Sequence, residues 1–535
     1  MMRKAEFTFR DLTVRYLYDV PAQADAYLPM ILYIPDSSLD HGYEKFISAE
    51  FQRNHPCSVI VPEVMDWVCP AVAQTIQRLI FDFRIKYKLD ICRTYLVGAG
   101  YGAIGAWHLA GSYPRLFAAM VAIGGCADPY HIRNAKYMPI WAFHAANDPK
   151  IHVSEATQLG GRKYLAGSRR LVDALRTEGS ELVRYTEYTS GAEELAERVM
   201  QSTEPWDWLF EQDRKKVIWI TFIRPGLYRL DDWFMASAYL IEGEKKALLI
   251  DTTMTHAHVD EVVKRITRLP VELAITHPHR DHMLHAFEFE KVYIHEDDRK
   301  AMYDCIHGMY DMKAGKVPQR PQTNTYPEYM DQLDHFHQVV GLKDGDVIDL
   351  GGTTIEMMYL GGHTQHDVVF ADHTHRCLFT GDAVGSGYVV GVRYEKNRFH
   401  ETYAWYRDNL ERFIGRMKGK EDYTCFGGHF IQENSCMDEM QEDYLNNQSE
   451  YFVPLSWKVI EDMYVLAGEL ADGMHDKEAH LDTGEEFLHD MAVPCLQAAG
   501  FRENPDPVTA FLFIENFRGQ NHWRAGGLIE IVTAQ

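Results

Sequence analysis

The chain has 535 residues, 46% of them hydrophobic and 12% aromatic, with a formal net charge of −24. It is too long for one ordinary core and too apolar for a disordered polymer, so two or three packed domains are expected. The acidity, with no long basic run, argues against a general nucleic-acid binder, because phosphate backbones are held by clustered Lys and Arg. From the N-terminus, Leu32-Tyr33-Ile34 is an apolar strand that runs into Pro35-Asp36. Thr94-Tyr95-Leu96-Val97 is a second strand, followed by Gly98-Ala99-Gly100-Tyr101-Gly102 and then Ala103 to Ala110, a strand–turn–helix pattern.

That turn stands where α/β-hydrolases carry the nucleophile elbow G-x-S-x-G. The flanks Tyr113 to Ala119, Pro139 to His144 and Asn147-Asp148-Pro149 extend the likeness. Residues 5 to 212 therefore resemble the esterase- and peptidase-like α/β-hydrolases, with Asp148 in the place of the triad acid. The departures are chemical. The central elbow position is Gly100, which has no side chain to attack with, and Thr189-Ser190-Gly191-Ala192-Glu193 lacks the triad histidine. Pro35-Asp36 replaces the His-Gly pair of the oxyanion loop. A doubly wound sheet that has lost its own catalysis is expected for residues 1–212. Cys126 reads as packing and not as a substitute nucleophile.

The charged run Glu211 to Lys216 marks the junction, and it is too short for a floppy tether. Beyond it, Ala238 to Ile241 and Ala247 to Ile250 read as a strand pair ending at Asp251. Val271 to Ile275 leads into Thr276-His277-Pro278-His279-Arg280-Asp281-His282, three imidazoles and a carboxylate within seven residues. Then come Gly361-Gly362-His363, Thr380-Gly381-Asp382 and Gly427-Gly428-His429, each a glycine followed by a donor. Glycine lets the chain turn sharply and approach closely, so the next side chain can point inward. Neutral imidazole and carboxylate are ligands that suit zinc and its first-row neighbours.

At this point residues 217 to 429 resemble the dinuclear hydrolase branch of the metallo-β-lactamase superfamily. The resemblance implies an αββα sandwich with His277, His279 and His363 on one metal ion and Asp281, His282 and His429 on the other. Asp382 would bridge both ions, and Asp251 would support the ligand loops. The implied cofactors are two divalent ions, Zn2+ first, with Mn2+ or Fe2+ open. Two such ions supply hydroxide near neutral pH and polarise the substrate. Asp281 and Asp382 then take part in catalysis as well as in ligation. His366, three residues past His363, is a candidate proton donor. The substrate expected is a small molecule carrying a carboxylic ester, lactone or related acyl bond. A thioesterase, a phosphodiesterase or a non-catalytic sensor are the alternatives.

Residues 213–470 are expected to form this domain and 471–535 a small C-terminal extension. Within the first, Arg299 to Gln338 is an insertion that either roofs the site or packs as a surface excursion. In the tail, Val508 to Ile514 and Leu528 to Val532 look like strands that lie over the hydrolase-like domain or build a homodimer contact. Nine cysteines, at 57, 69, 92, 126, 305, 377, 425, 436 and 495, form no C-x-x-C pair. With an acid-interrupted N-terminus and no run of about 18 apolar residues, a cytoplasmic protein without a membrane partner is expected.

Overall fold

The computed structural model describes residues 2–21, 27–37, 41–64, 66–159, 162–233, 236–314, 328–384, 398–429, 455, 457–474, 509–514 and 529–534. The chain divides between Val217 and Ile218 into two compact units. Among the described residues, no helix is long and apolar enough to cross a membrane.

In the first unit an eight-stranded sheet runs, in spatial order, Arg3–Phe9, Leu12–Asp19, Ser58–Glu63, Met30–Ile34, Thr94–Ala99, Ala119–Ile123, Ile140–Ala145 and Val183–Tyr188. The first three are antiparallel neighbours and the rest pair in parallel. Four central strands are buried at every position, because helices cover both faces of a parallel sheet, and this is why they read as unbroken apolar runs. Phe46, Phe51, Trp206 and Trp208 fill the core on one face.

Gly100 joins Thr94–Ala99 to the helix Tyr101–Ser112 with φ 53° and ψ −121°, a conformation that side chains rarely adopt. The turn thus keeps a strained elbow shape. The space above it is filled by Asp36, whose Oδ1 accepts a hydrogen bond from the Tyr101 amide at 2.6 Å. A Cβ on Gly100 would overlap that carboxylate. Asp148 turns back on its own loop, accepting from the amides of Lys150 and Ile151 at 2.8 and 3.0 Å. His144 lies 3.6 Å from Asp148 and 2.8 Å from Ser168 Oγ, but His144 and Ser168 are wholly buried and Ser168 donates to the Gly124 carbonyl. This trio is packing. Cys126 is also wholly buried, and burial pushes its thiol up to about 12.

Gly100→Ser is therefore expected to give no esterase activity. It forces a side chain onto a positive φ and against Asp36, and residues 189–193, after the last strand of the sheet, carry no histidine. Chelator-treated protein should leave a p-nitrophenyl ester unhydrolysed, with a lowered melting temperature. A clear gain of turnover without metal would overturn this account.

The second unit is two sheets face to face. The first follows chain order: Trp219–Arg224, Leu227–Asp231, Ser237–Glu242, Ala247–Ile250, Val271–Ala274, Lys291–His295 and Gln338–Leu342. The second comprises Val347–Asp349, Thr354–Tyr359, Val368–Asp372, Cys377–Gly381 and Thr424–Gly427. Tyr239, Ile241, Leu248 and Ile250 meet Met357, Phe370, Phe379 and Phe426 between them. On the outside of the second sheet the helices Phe399–Arg416 and Trp457–Ala471 bury Tyr403, Tyr406, Leu410 and Met463.

Two parallel pairings decide where the chemistry collects. Ala247–Ile250 runs parallel to Val271–Ala274, and Cys377–Gly381 parallel to Thr424–Gly427. Asp251 and the histidine cluster follow the first pair, and Asp382 and His429 the second, so within each sheet the two leave at strand ends that face the same way.

Of the insertion, Arg299–Lys313 is a helix with Met302, Ile306 and Met309 buried. Tyr329, Met330 and Leu333 are also buried, and the Tyr329 hydroxyl donates to the Thr255 carbonyl. Its far end is thus anchored on the loop that follows Ala247–Ile250. Residues 315–327, with Pro318, Pro321, Tyr326 and Pro327, lie outside the described residues. In the tail, Thr509–Ile514 and Ile529–Ala534 pair antiparallel. The remainder of 475–535 also lies outside them, as do residues 437–454.

Candidate metal centre

The seven sequence-predicted donors gather in one place. Donor atoms of His277, His279 and His363 lie within 4.8 Å of one another, and so do those of His277, His282 and Asp382. A third such group is Asp281, His282 and His429. Asp382 Oδ2 is the shared point: it stands 3.4 Å from His429 Nε2, 3.6 Å from His282 Nε2 and from His363 Nε2, and 4.0 Å from His277 Nε2. Asp281 Oδ2 is 3.4 Å from His429 Nε2 and 3.6 Å from His282 Nε2.

These residues fit a pair of cations. His277 Nε2 and His282 Nε2 are buried nitrogens without a hydrogen-bond partner. Leaving a buried polar atom unsatisfied costs about 1–3 kcal/mol, and here two such atoms face the same carboxylate. Burial, reinforced by the His282 and His279 imidazoles, holds His277 well below the ordinary histidine range, so its lone pair is available. Burial works against ionising Asp382, yet His429 and His282 hold it well below the usual carboxylate range. Burial likewise opposes a charged His282, but Asp382, Asp281 and Asp251 together raise it well above the ordinary value. His429 is raised against burial by Asp382. The carboxylates thus draw positive charge into a buried site.

Residues 231–429 match the family model described as the metallo-beta-lactamase superfamily. This span is a metallo-β-lactamase domain. An acyl-coenzyme A thioesterase of Homo sapiens (MBLAC2) is 22% identical over 172 residues, covering 29% of this chain and 60% of that protein. A hydroxyacylglutathione hydrolase of Francisella tularensis subsp. holarctica is 25% identical over 176 residues, covering 32% and 58%. The chain thus spans about three-fifths of the length of the curated relatives it matches. Among solved structures, a thermostable esterase aligns at 25% identity with a TM-score of 0.34, covering 40% of this chain and 63% of its own. The DIM-1 metallo-β-lactamase aligns at 13% identity with a TM-score of 0.30, covering 47% and 96%.

What aims these donors in the metallo-β-lactamase domain is a layer behind them. Asp251 accepts from the Thr276 amide and from the Thr276 hydroxyl, both at 2.7 Å, and lies 3.0 Å from His282 Nδ1. Thr276 Oγ1 in turn lies 3.1 Å from His277 Nδ1. With Nδ1 engaged from behind, each ring presents Nε2 to the centre. Asp251 does this at φ 60°, a left-handed backbone that an Asp adopts at a cost. Gly428 is required by space: a Cβ there would come within 2.5 Å of Asp382 Oδ1 and 2.9 Å of His282 Cε1.

Sequence reasoning missed three supports. Asn409 donates to the Gly361 carbonyl at 2.8 Å, and Tyr406 donates to the Ala383 carbonyl at 2.5 Å from the same helix. Asp367 accepts from the Thr364 amide at 2.6 Å and from its hydroxyl, closing the turn after His363, and burial raises its carboxyl well above the usual range. A polar Asn among the buried aromatics of a helix was the one available signal. His366, the candidate proton donor, belongs to none of the donor groups. Its Nδ1 is 2.9 Å from Asp298 Oδ1 and its ring stacks on His295 at 5.0 Å and 3°.

Proposed function

We propose that the chain is a metal-dependent hydrolase that cleaves an acyl bond of a small molecule, an acyl thioester first, with ester and lactone in the same class. The observation that carries this is the convergence of four imidazoles on the single Asp382 oxygen, with Asp281 beside them. His277, His279 and His363 would hold one ion, Asp281, His282 and His429 the other, and Asp382 both. Imidazole with carboxylate favours zinc, with manganese and iron as its competitors. When bound, two such ions supply Lewis acidity and an ionised water near neutral pH. The thioester preference draws on the relatives, one named for acyl-coenzyme A and the other for hydroxyacylglutathione.

The chain's own residues do the rest. Asp251 and Thr276 fix the rings of His282 and His277, and Asp367 fixes the turn that carries His363. Asp298 orients His366 through Nδ1, so protonation of the departing group falls to its Nε2. In the first unit, the strand order and the elbow at Gly100 support an α/β-hydrolase fold without its own catalysis. The seven described cysteines are free, which favours a reducing, cytosolic setting.

The test is metal analysis with a chromogenic panel of thioester, ester, lactone and phosphodiester. Two ions per chain and chelator-sensitive thioester turnover are expected. A metal-replete chain inert on the whole panel would favour a binding or sensing protein instead, and turnover of the phosphodiester alone would move the substrate class.

A further inference from the structure

Arg280 stands between the ligands His279 and Asp281 and opens the short helix Arg280–Met283. The four ligand-bearing segments, 276–282, 361–364, 380–382 and 427–429, contain no other Lys or Arg. It is half-buried. Four described arginines of this unit are not exposed, and three of them have acceptors. Arg224 donates to the His375 carbonyl at 3.2 Å, Arg229 faces Asp231 at 3.1 Å and Arg407 meets Asp408 at 2.7 Å. The fourth is Arg280, whose guanidinium takes part in no hydrogen bond or ion pair among the described residues. Its neighbour Asp281 does not neutralise it, because that carboxylate turns to His282 and His429.

We propose that Arg280 is a specificity residue that grips a carboxylate or phosphate on the substrate, so that the domain prefers anionic acyl compounds to neutral ones. The proposal rests on the hydrolytic reading of the metal centre. A guanidinium is a planar fork of donors that matches either anion, and removing it partly from water without an acceptor is unfavourable. A chain of net charge −24 repels anions at long range, so discrimination in their favour has to be local. Adjacency to two ligands ties the gripped anion to the reacting acyl group.

The test compares wild type, R280Q and R280K, each loaded with zinc and checked for equal metal content. The substrates are acyl thioesters of coenzyme A (phosphates), of glutathione (carboxylates) and of neutral N-acetylcysteamine. R280Q is expected to raise KM about tenfold for at least one anionic thioester with kcat kept, to leave the neutral thioester within twofold, and to be partly rescued by R280K. Which anionic thioester responds tells phosphate from carboxylate. Equal effects on charged and neutral substrates, or none, would overturn the proposal, while turnover of the neutral thioester would leave the hydrolase reading standing. Binding of S-methyl coenzyme A and S-methyl glutathione by calorimetry needs no turnover. Wild type should bind one of them about tenfold more tightly than R280Q, and equal binding, or no binding by wild type, rejects the role even if the chain hydrolyses nothing.

Discussion

Replacing Asp382 by Asn is expected to lower the metal content below two ions per chain and kcat/KM by more than about 100-fold. Groups one layer behind a metal ligand already cost about 10–100-fold when removed, so a carboxylate proposed to be shared by two ions should cost more. Asn keeps the shape and so should spare the fold. What it loses is the negative charge that His282 and His429 lean on and the oxygen that stands 3.4–4.0 Å from four imidazoles. Metal content by mass spectrometry and turnover on the same preparation should fall together. A variant that holds two ions and turns over at the wild-type rate would remove Asp382 from the centre.

Much of this centre was legible because its chemistry is written in short segments. Thr276 to His282 carries four donors in seven residues, and a glycine precedes each remaining donor for a reason that is concrete at Gly428. Strand runs were legible where burial is complete, as in Thr94–Ala99 and Ala247–Ile250, since buried parallel strands have no alternation to misread. That Gly100 brings no side chain to its turn was legible, but the use of Asp36 to fill the space was not. That contact joins residues 65 apart, and nothing local in Pro35-Asp36 announces it. The same limit hid Asn409 and Tyr406, which reach the loops beside His363 and Asp382 from a helix distant in sequence. Asp367 shows the same limit at short range: the buried carboxylate that closes the His363 turn stands one residue past the candidate donor His366, and nothing in the local sequence marks it.

Asp251 gives the second large effect, and two substitutions separate its two roles. Its carboxylate serves the Thr276 amide, the Thr276 hydroxyl and His282 Nδ1 from a 2% exposed position. Asp251→Ala leaves those groups without an acceptor at about 1–3 kcal/mol each. At roughly 2–4 °C per kcal/mol for a domain of this size, the melting temperature should drop by about 10 °C. Metal affinity should fall about 10–100-fold, because His282 and His277 lose what holds their rings in place. Asp251→Gly loses the same contacts but accepts φ 60° without strain, so it should be more stable than the Ala variant by about 1 kcal/mol. The part common to both variants measures the hydrogen bonds, and the gap between them measures the backbone. Thermal melts and zinc titrations of the two proteins settle each separately. Wild-type zinc affinity in both would show that the rings are aimed by something other than Asp251, and an Ala variant as stable as the Gly one would show that the left-handed backbone at this position stores no strain.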